Sequence, residues 1–116
     1  MPNLTKNQSP RIPLWVYVLV ITFIAFSSSL GNDFTNWDDQ KHVYQNPSIR
    51  SLDWTHIQGI FATSVNKTYV PLTILSFAIE YHFFGFKPWV YHLTNVLLHL
   101  AVTGLVFHFA RQVGLR

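Results

Sequence analysis

The chain has 116 residues, about half of them apolar and only 11% charged, with a net charge of +3 at neutral pH. Soluble domains carry roughly a quarter charged residues, so this balance excludes an ordinary water-exposed fold and points to a bilayer; the length allows one domain or one piece of a larger one. Its basic residues are scattered rather than clustered, which argues against a nucleic-acid partner, and the absence of cysteine excludes disulfides and thiolate metal sites.

Residues 1–11 are a tail whose first ten positions are polar and rich in Asn, Thr, Ser and Pro, a composition that predicts disorder there. Residues 12–30 follow as nineteen positions without a charge. As helix they measure about 28 Å, close to a hydrocarbon core of about 30 Å. A cleaved signal peptide is the competing reading, because Lys6 and Arg11 precede the run and Ser27-Ser28-Ser29 resembles a cleavage site. The run exceeds the usual signal-peptide core and a second span follows, which favours an uncleaved anchor.

A long loop, residues 31–87, comes next. Asn46-Pro47 stops any helix there, since the residue before proline is pushed out of the α region. Asp53 is placed to cap a short helix reaching about Phe61, and 63–69 is a polar link. Proline at a first helical turn opens an element at Pro71 that runs to Phe84, too short to span and suited to the interface. Thr73, Ser76 and Glu80 share one of its faces, so Glu80 is expected to meet water at headgroup level. Gly85-Phe86-Lys87-Pro88 breaks it. Residues 88–110 form the second span, followed by a cytoplasmic end at 111–116. His92, Asn95, His99 and Thr103 are spaced three, four and four apart on it, one polar stripe that must face protein or a wet cavity.

The predicted fold class is thus an all-α membrane protein: two transmembrane helices joined by a long external loop with short interfacial helices. Lys6, Arg11, Arg111 and Arg116 flank the spans without an acidic neighbour, whereas the loop carries five acidic residues against four basic ones. The positive-inside rule puts both termini in the cytoplasm and the loop outside. A two-helix hairpin has almost no interior in which to hide the histidine stripe, so the chain reads as the front end of a larger multi-span protein.

Chemistry concentrates at Asp38 and Asp39, adjacent carboxylates flanked by aromatics just after the first span. In an extended segment they point to opposite sides, so one can serve as general base on an acceptor hydroxyl while the other meets solvent or a partner. The plainer reading makes both turn formers in a solvated loop. His92 and His99 are seven residues, about 10 Å, apart, too far to share an ion, so interhelical hydrogen bonding accounts for them better than a metal site. Phe83, Phe84, Phe86, Trp89 and Tyr91 suit an interfacial aromatic belt. Asn66-Lys67-Thr68 fits a glycosylation sequon, a triplet common by chance.

Four motifs then occur in order: Trp37-Asp38-Asp39 with Tyr44-x-Asn46-Pro47-x-Ile49; Tyr69-x-Pro71-Leu72-Thr73-x-Leu75-Ser76; Glu80-Tyr81-x-x-Phe84-Gly85; and Pro88-x-x-Tyr91-His92-Leu93-x-Asn95-x-Leu97-Leu98-His99. Together, over residues 12–113, they resemble the N-terminal part of GT-C type polytopic glycosyltransferases with tetratricopeptide repeats. The kin are bacterial members and the eukaryotic transmembrane and tetratricopeptide-repeat O-mannosyltransferases. The resemblance implies a polyprenyl-phosphate-linked sugar donor, transfer on the non-cytoplasmic side, and a bacterial inner membrane with loop 31–87 periplasmic. It implies catalysis at Asp38 and Asp39, unranked, with substrate-binding positions at Glu80, His92, Asn95 and His99 beside the site. It implies no required cofactor and leaves a divalent cation open; the partners are membrane lipid, the lipid-linked donor and the further spans of a parent protein. Relatives with an arginine before the Pro-Leu pair differ from this chain, which has Val70. Such an N-terminal portion is expected to be inactive alone. The alternative is a small non-enzymatic two-span protein acting through helix–helix association.

Overall fold

A computed structural model describes residues 12–114; the tail at 1–11 and the last two residues lie outside them. Helix α1, Leu14–Ser27, begins after Pro13, whose extended backbone accepts the Val16 N–H at 3.0 Å. It continues as a 3₁₀ turn over Ser28–Gly31. The hydroxyls in this apolar helix are turned back on their own backbone: Thr22 Oγ1 donates to the Val18 carbonyl, Ser27 Oγ to Ile24 and Ser29 Oγ to Phe26, at 2.7–2.9 Å. Such local bonds make polar groups tolerable in hydrocarbon. None of its residues is buried in the chain. An apolar helix of this length with no buried residue is consistent with a membrane span, since a soluble protein would bury it.

Helix α4, Pro88–Gln112, is the second helix long and apolar enough to cross a membrane. It runs antiparallel to α1: Phe26 packs edge-on against His99 with ring centres 4.5 Å apart, and Leu19 Cδ2 lies 3.9 Å from where a Cβ on Gly104 would stand. The described residues form helices and turns, with one isolated bridge between Val65 and Thr68. The Asn66-Lys67 pair between them takes φ of 51° and 65°, the left-handed conformation of a tight hairpin turn.

The two spans enclose no core of their own, and the stripe of Asn95 and His99 stays exposed; the buried core lies instead in the segment between them. Val43, Ile49, Ile60, Ile74, Ala78, Val90 and Tyr91 form a closed apolar core, with Phe34, Leu52, Val70, Phe77, Tyr81 and Phe86 packed around it. Each buried aliphatic contributes about 1.5–3 kcal/mol. The loop is therefore a small folded cap seated on the first turns of α4.

Three local devices build that cap. Helix α2, Trp54–Ala62, is capped by Asp53, whose Oδ1 accepts the His56 N–H at 2.9 Å while Oδ2 takes Ser51 Oγ and His56 Nδ1, both at 2.8 Å. The backbone N–H of His56, then the imidazole and the Ser51 hydroxyl, hold the Asp53 carboxyl well below its usual range. A depressed value means that the capping contribution is present above the ordinary carboxylate range and disappears as pH falls through the folded value. Asp53→Ala should accordingly abolish the slow hydrogen exchange of the His56 amide at neutral pH, whereas in the unaltered chain that protection should persist in acid through the ordinary carboxylate range.

Helix α3, Pro71–Phe84, opens on its proline and ends where Gly85 adopts φ +66°, ψ −148°, a conformation open essentially to glycine alone. The Gly85 N–H donates to the Tyr81 carbonyl at 2.8 Å and its carbonyl accepts the Tyr91 hydroxyl at 3.2 Å, which folds α3 back on α4. Asn46 joins the turns at 40–44 and 47–49. It is 4% exposed, its Nδ2 donates to the His42 carbonyl at 3.1 Å, and its Oδ1 accepts the Ser48 N–H at 2.9 Å.

Candidate functional site

Asp38 and Asp39 are not extended. They begin a helical turn that widens into a π-helical turn at Gln40–Tyr44, with Asp39 at φ −60°, ψ −32°. Adjacent residues in a helix are about 100° apart rather than opposed, so the two carboxylates diverge without facing opposite sides. The reason is the chain on either side. Phe34 and Tyr44 meet edge-on with ring centres 5.0 Å apart, and Phe34 also packs on Tyr91 at 5.0 Å. That clasp closes the chain between residues 34 and 44, and a helical turn fits the closure where a strand would not.

The turn separates the two acids chemically. Asp39 Oδ2 accepts both the N–H of Thr35 at 2.8 Å and its hydroxyl at 3.1 Å, which ties the turn back to the segment that leads into it. Asp38 is exposed, and among the described residues no hydrogen bond reaches its carboxylate; only its carbonyl is used, at 3.0 Å from His42 Nδ1. Trp37 beside it is 81% exposed, an uncovered aromatic face next to an uncommitted carboxylate. Of the pair, Asp38 has the carboxylate without a hydrogen bond among the described residues and Asp39 the bonds to Thr35.

Glu80 is corrected from its expected place in water. It is 7% exposed, its Oε2 has no hydrogen bond, and α4 covers it. Burial raises its pKa, and the neighbouring Thr94 hydroxyl offsets part of that rise. Because the fold prefers the protonated form, the contribution of Glu80 is fully present below its ordinary value of 4.5. It is lost as pH rises through the elevated folded value. Glu80→Gln, neutral at every pH, should flatten the pH dependence of the melting temperature above the ordinary carboxylate range and raise stability at the alkaline end.

The stripe on α4 divides. His92 is partly buried near Phe34, with Nε2 unpartnered and the ring centres 6.3 Å apart; His99 packs on Phe26; Asn95 is exposed. The cavities lined by Trp15 and Gln112, by Pro47 and Gly59, and by Lys41 and Asn66 include none of Asp38, Glu80, His92, Asn95 and His99. No cluster of three metal-ligating side chains occurs among the described residues.

Sequence reasoning missed Arg50. Its guanidinium lies 4.4 Å from the Phe86 ring centre and 5.1 Å from that of Tyr81. Nη1 donates to the Tyr81 hydroxyl at 3.2 Å and Nη2 to the Tyr44 carbonyl. One signal pointed to it: Arg50 is the only arginine between the two spans.

Comparison with known proteins supplies the rest. No family model and no solved structure matches the chain. Among curated proteins, it is 41% identical over 98 residues to protein O-mannosyl-transferase tmtc2 of Xenopus laevis, a match covering 78% of the chain and 12% of the frog protein. It is 38% identical over 94 residues to the human TMTC2 enzyme, covering 74% of the chain and 11% of that relative. With Tmtc2 of Drosophila melanogaster it shares 30% over 102 residues, covering 80% of the chain and 11% of the fly protein. The chain thus spans about one-ninth of the length of these relatives. Over some three quarters of its own length it is a homologue of the protein O-mannosyl-transferases.

Proposed function

We propose that this chain belongs to that family and carries the first external loop of a GT-C type glycosyltransferase, the kind that bears tetratricopeptide repeats. The reaction moves a sugar from a polyprenyl-phosphate donor to an acceptor hydroxyl on the non-cytoplasmic side, which in a bacterium is the periplasmic face of the inner membrane. Both termini are cytoplasmic, and residues 31–87 stand outside. The identity with O-mannosyl-transferases over some three quarters of the chain carries this reading. The uncommitted carboxylate of Asp38 supports it.

In this reading Asp38 accepts the proton of the acceptor hydroxyl as its oxygen attacks the anomeric carbon, and the lipid phosphate departs with the bonding electrons. Asp39 holds the turn through Thr35. Glu80, His92 and His99 serve the substrate site only indirectly, by packing α3, α1 and the loop against α4, while Asn95, exposed on α4, faces the further spans of a parent protein. Further spans of a parent protein supply the walls that bind the lipid carrier.

Topology tests the reading directly, since the chain has no cysteine of its own. Single cysteines at Gln40 and Gln112 are exposed in turn to a membrane-impermeant thiol reagent on intact cells. Labelling at 40 and protection at 112 is expected. The reverse pattern would put the carboxylates on the cytoplasmic side and sink the proposal.

A further inference from the structure

Arg50 is the feature of the cap that neither its packing nor the acidic turn explains. A guanidinium has five N–H donors in one plane. Two are committed, to Tyr44 and Tyr81, and the faces of Tyr81 and Phe86 hold the plane in place. The side chain is nevertheless exposed, and three donors remain. Nor is its charge neutralised: among the described residues the only ion pair is His56 with Asp53. A fork immobilised before any anion arrives loses little entropy on binding one, and its geometry matches two phosphate oxygens at once.

Its depth narrows the anion. Phe86 lies in the turn between α3 and α4, two residues before the second span begins at Pro88. Phe84 and Trp89 flank it, ring centres 6.2 Å apart and both exposed. Exposed aromatics at the mouth of a span mark the membrane interface, which is where lipid phosphates lie. A soluble anion would need no such placement.

We propose that Arg50, on its Tyr81–Phe86 platform, is a binding site for the phosphate of a lipid phosphate ester at the membrane surface. Two sources share that chemistry, a bilayer phospholipid and a prenyl-phosphate carrier. The site itself stands on the geometry of Arg50; only the choice of the carrier as its lipid rests on the function proposed above.

The test uses the whole chain, ¹⁵N-labelled in dodecyl maltoside, a detergent without phosphate. The Arg50 Nε–Hε resonance is followed while citronellyl phosphate, phosphatidylglycerol or inorganic phosphate is added. A saturable shift with one or both lipid phosphates is expected, at concentrations at least about tenfold below those needed with inorganic phosphate. Arg50→Lys keeps the charge and loses the fork and the stack, so affinity should fall about tenfold. Phe86→Leu should weaken binding by about two- to fivefold.

A response to citronellyl phosphate that phosphatidylglycerol does not displace assigns the site to the carrier. A response to phosphatidylglycerol alone keeps the lipid-phosphate site and removes its support for the glycosyltransferase reading. No shift with either lipid, equal response to inorganic phosphate, or undiminished binding by Arg50→Lys overturns the proposal. If Arg50→Lys disturbs the amide spectrum of the cap, the unaltered resonance and Phe86→Leu decide.

Discussion

Exchange of Asp38 for asparagine is expected to lower sugar transfer by about two to four orders of magnitude, the usual worth of a positioned general base. Asparagine preserves the size of the side chain and leaves the Thr35–Asp39 bonds intact, so the fold of the cap should not change. Asp39→Asn keeps an oxygen facing Thr35 and should reduce transfer far less, with a loss of stability of about 1 kcal/mol or less. The assay measures transfer from a prenyl-phosphate mannose in membranes. If the chain alone shows no turnover, residues 12–114 replace the homologous stretch of the frog relative, and the substitutions are made there. Equal, full turnover by both variants would remove the acidic turn from the chemistry. A larger loss for Asp39→Asn than for Asp38→Asn would reverse the assignment of base and structural partner.

Truncation of Ile49 to alanine should cost the cap about 2–5 kcal/mol, a large share of what so small a core can supply. Ile49 has no exposed surface and sits among Val43, Ile60 and Ile74, where the three turns of the loop meet α3. Its removal leaves a hole lined by rigid β-branched side chains that close in poorly. Hydrogen exchange at the Ile60 and Ile74 amides should accelerate sharply, while exchange within α1, which contributes nothing to that core, stays as it was. Uniform acceleration across both would show that cap and spans unfold as one unit.

The spans and the short helices were legible because their signals are local. A charge-free run long enough for a bilayer, Asp53 before an apolar turn, Pro71 and Pro88 at first helical positions and Gly85 as a breaker each act within a few residues. The cap was not legible, because its core is assembled from single residues far apart: Val43, Ile49 and Ile60 follow no period that a window could detect. Glu80 was misplaced for the same reason. Its own helix has a polar face there, and only the arrival of α4 turns that face inward. The acidic turn was read as extended because nothing in Asp38-Asp39 announces that Phe34 and Tyr44 clasp on either side. Arg50 shows its character only when Tyr81 and Phe86, over thirty residues away, come to lie against it. For the candidate site, the sequence singled out the acidic pair, and the hydrogen bonds of Thr35 distinguish its two members.

Helix α4 is longer than its partner. Its 25 residues make a rod of about 37 Å, whereas the 18 residues from Leu14 to Gly31 rise about 27 Å. The pairing of Phe26 with His99 and of Leu19 with Gly104 places most of the excess at the end where α4 begins, and Val90 and Tyr91 there are part of the cap's core. The cap is thus carried on a mast. Phe34 leans on Tyr91 at its top, so the height of the carboxylates above the lipid is set by a rigid rod rather than by a slack tether. A thicker or thinner bilayer tilts the rod and carries the cap with it.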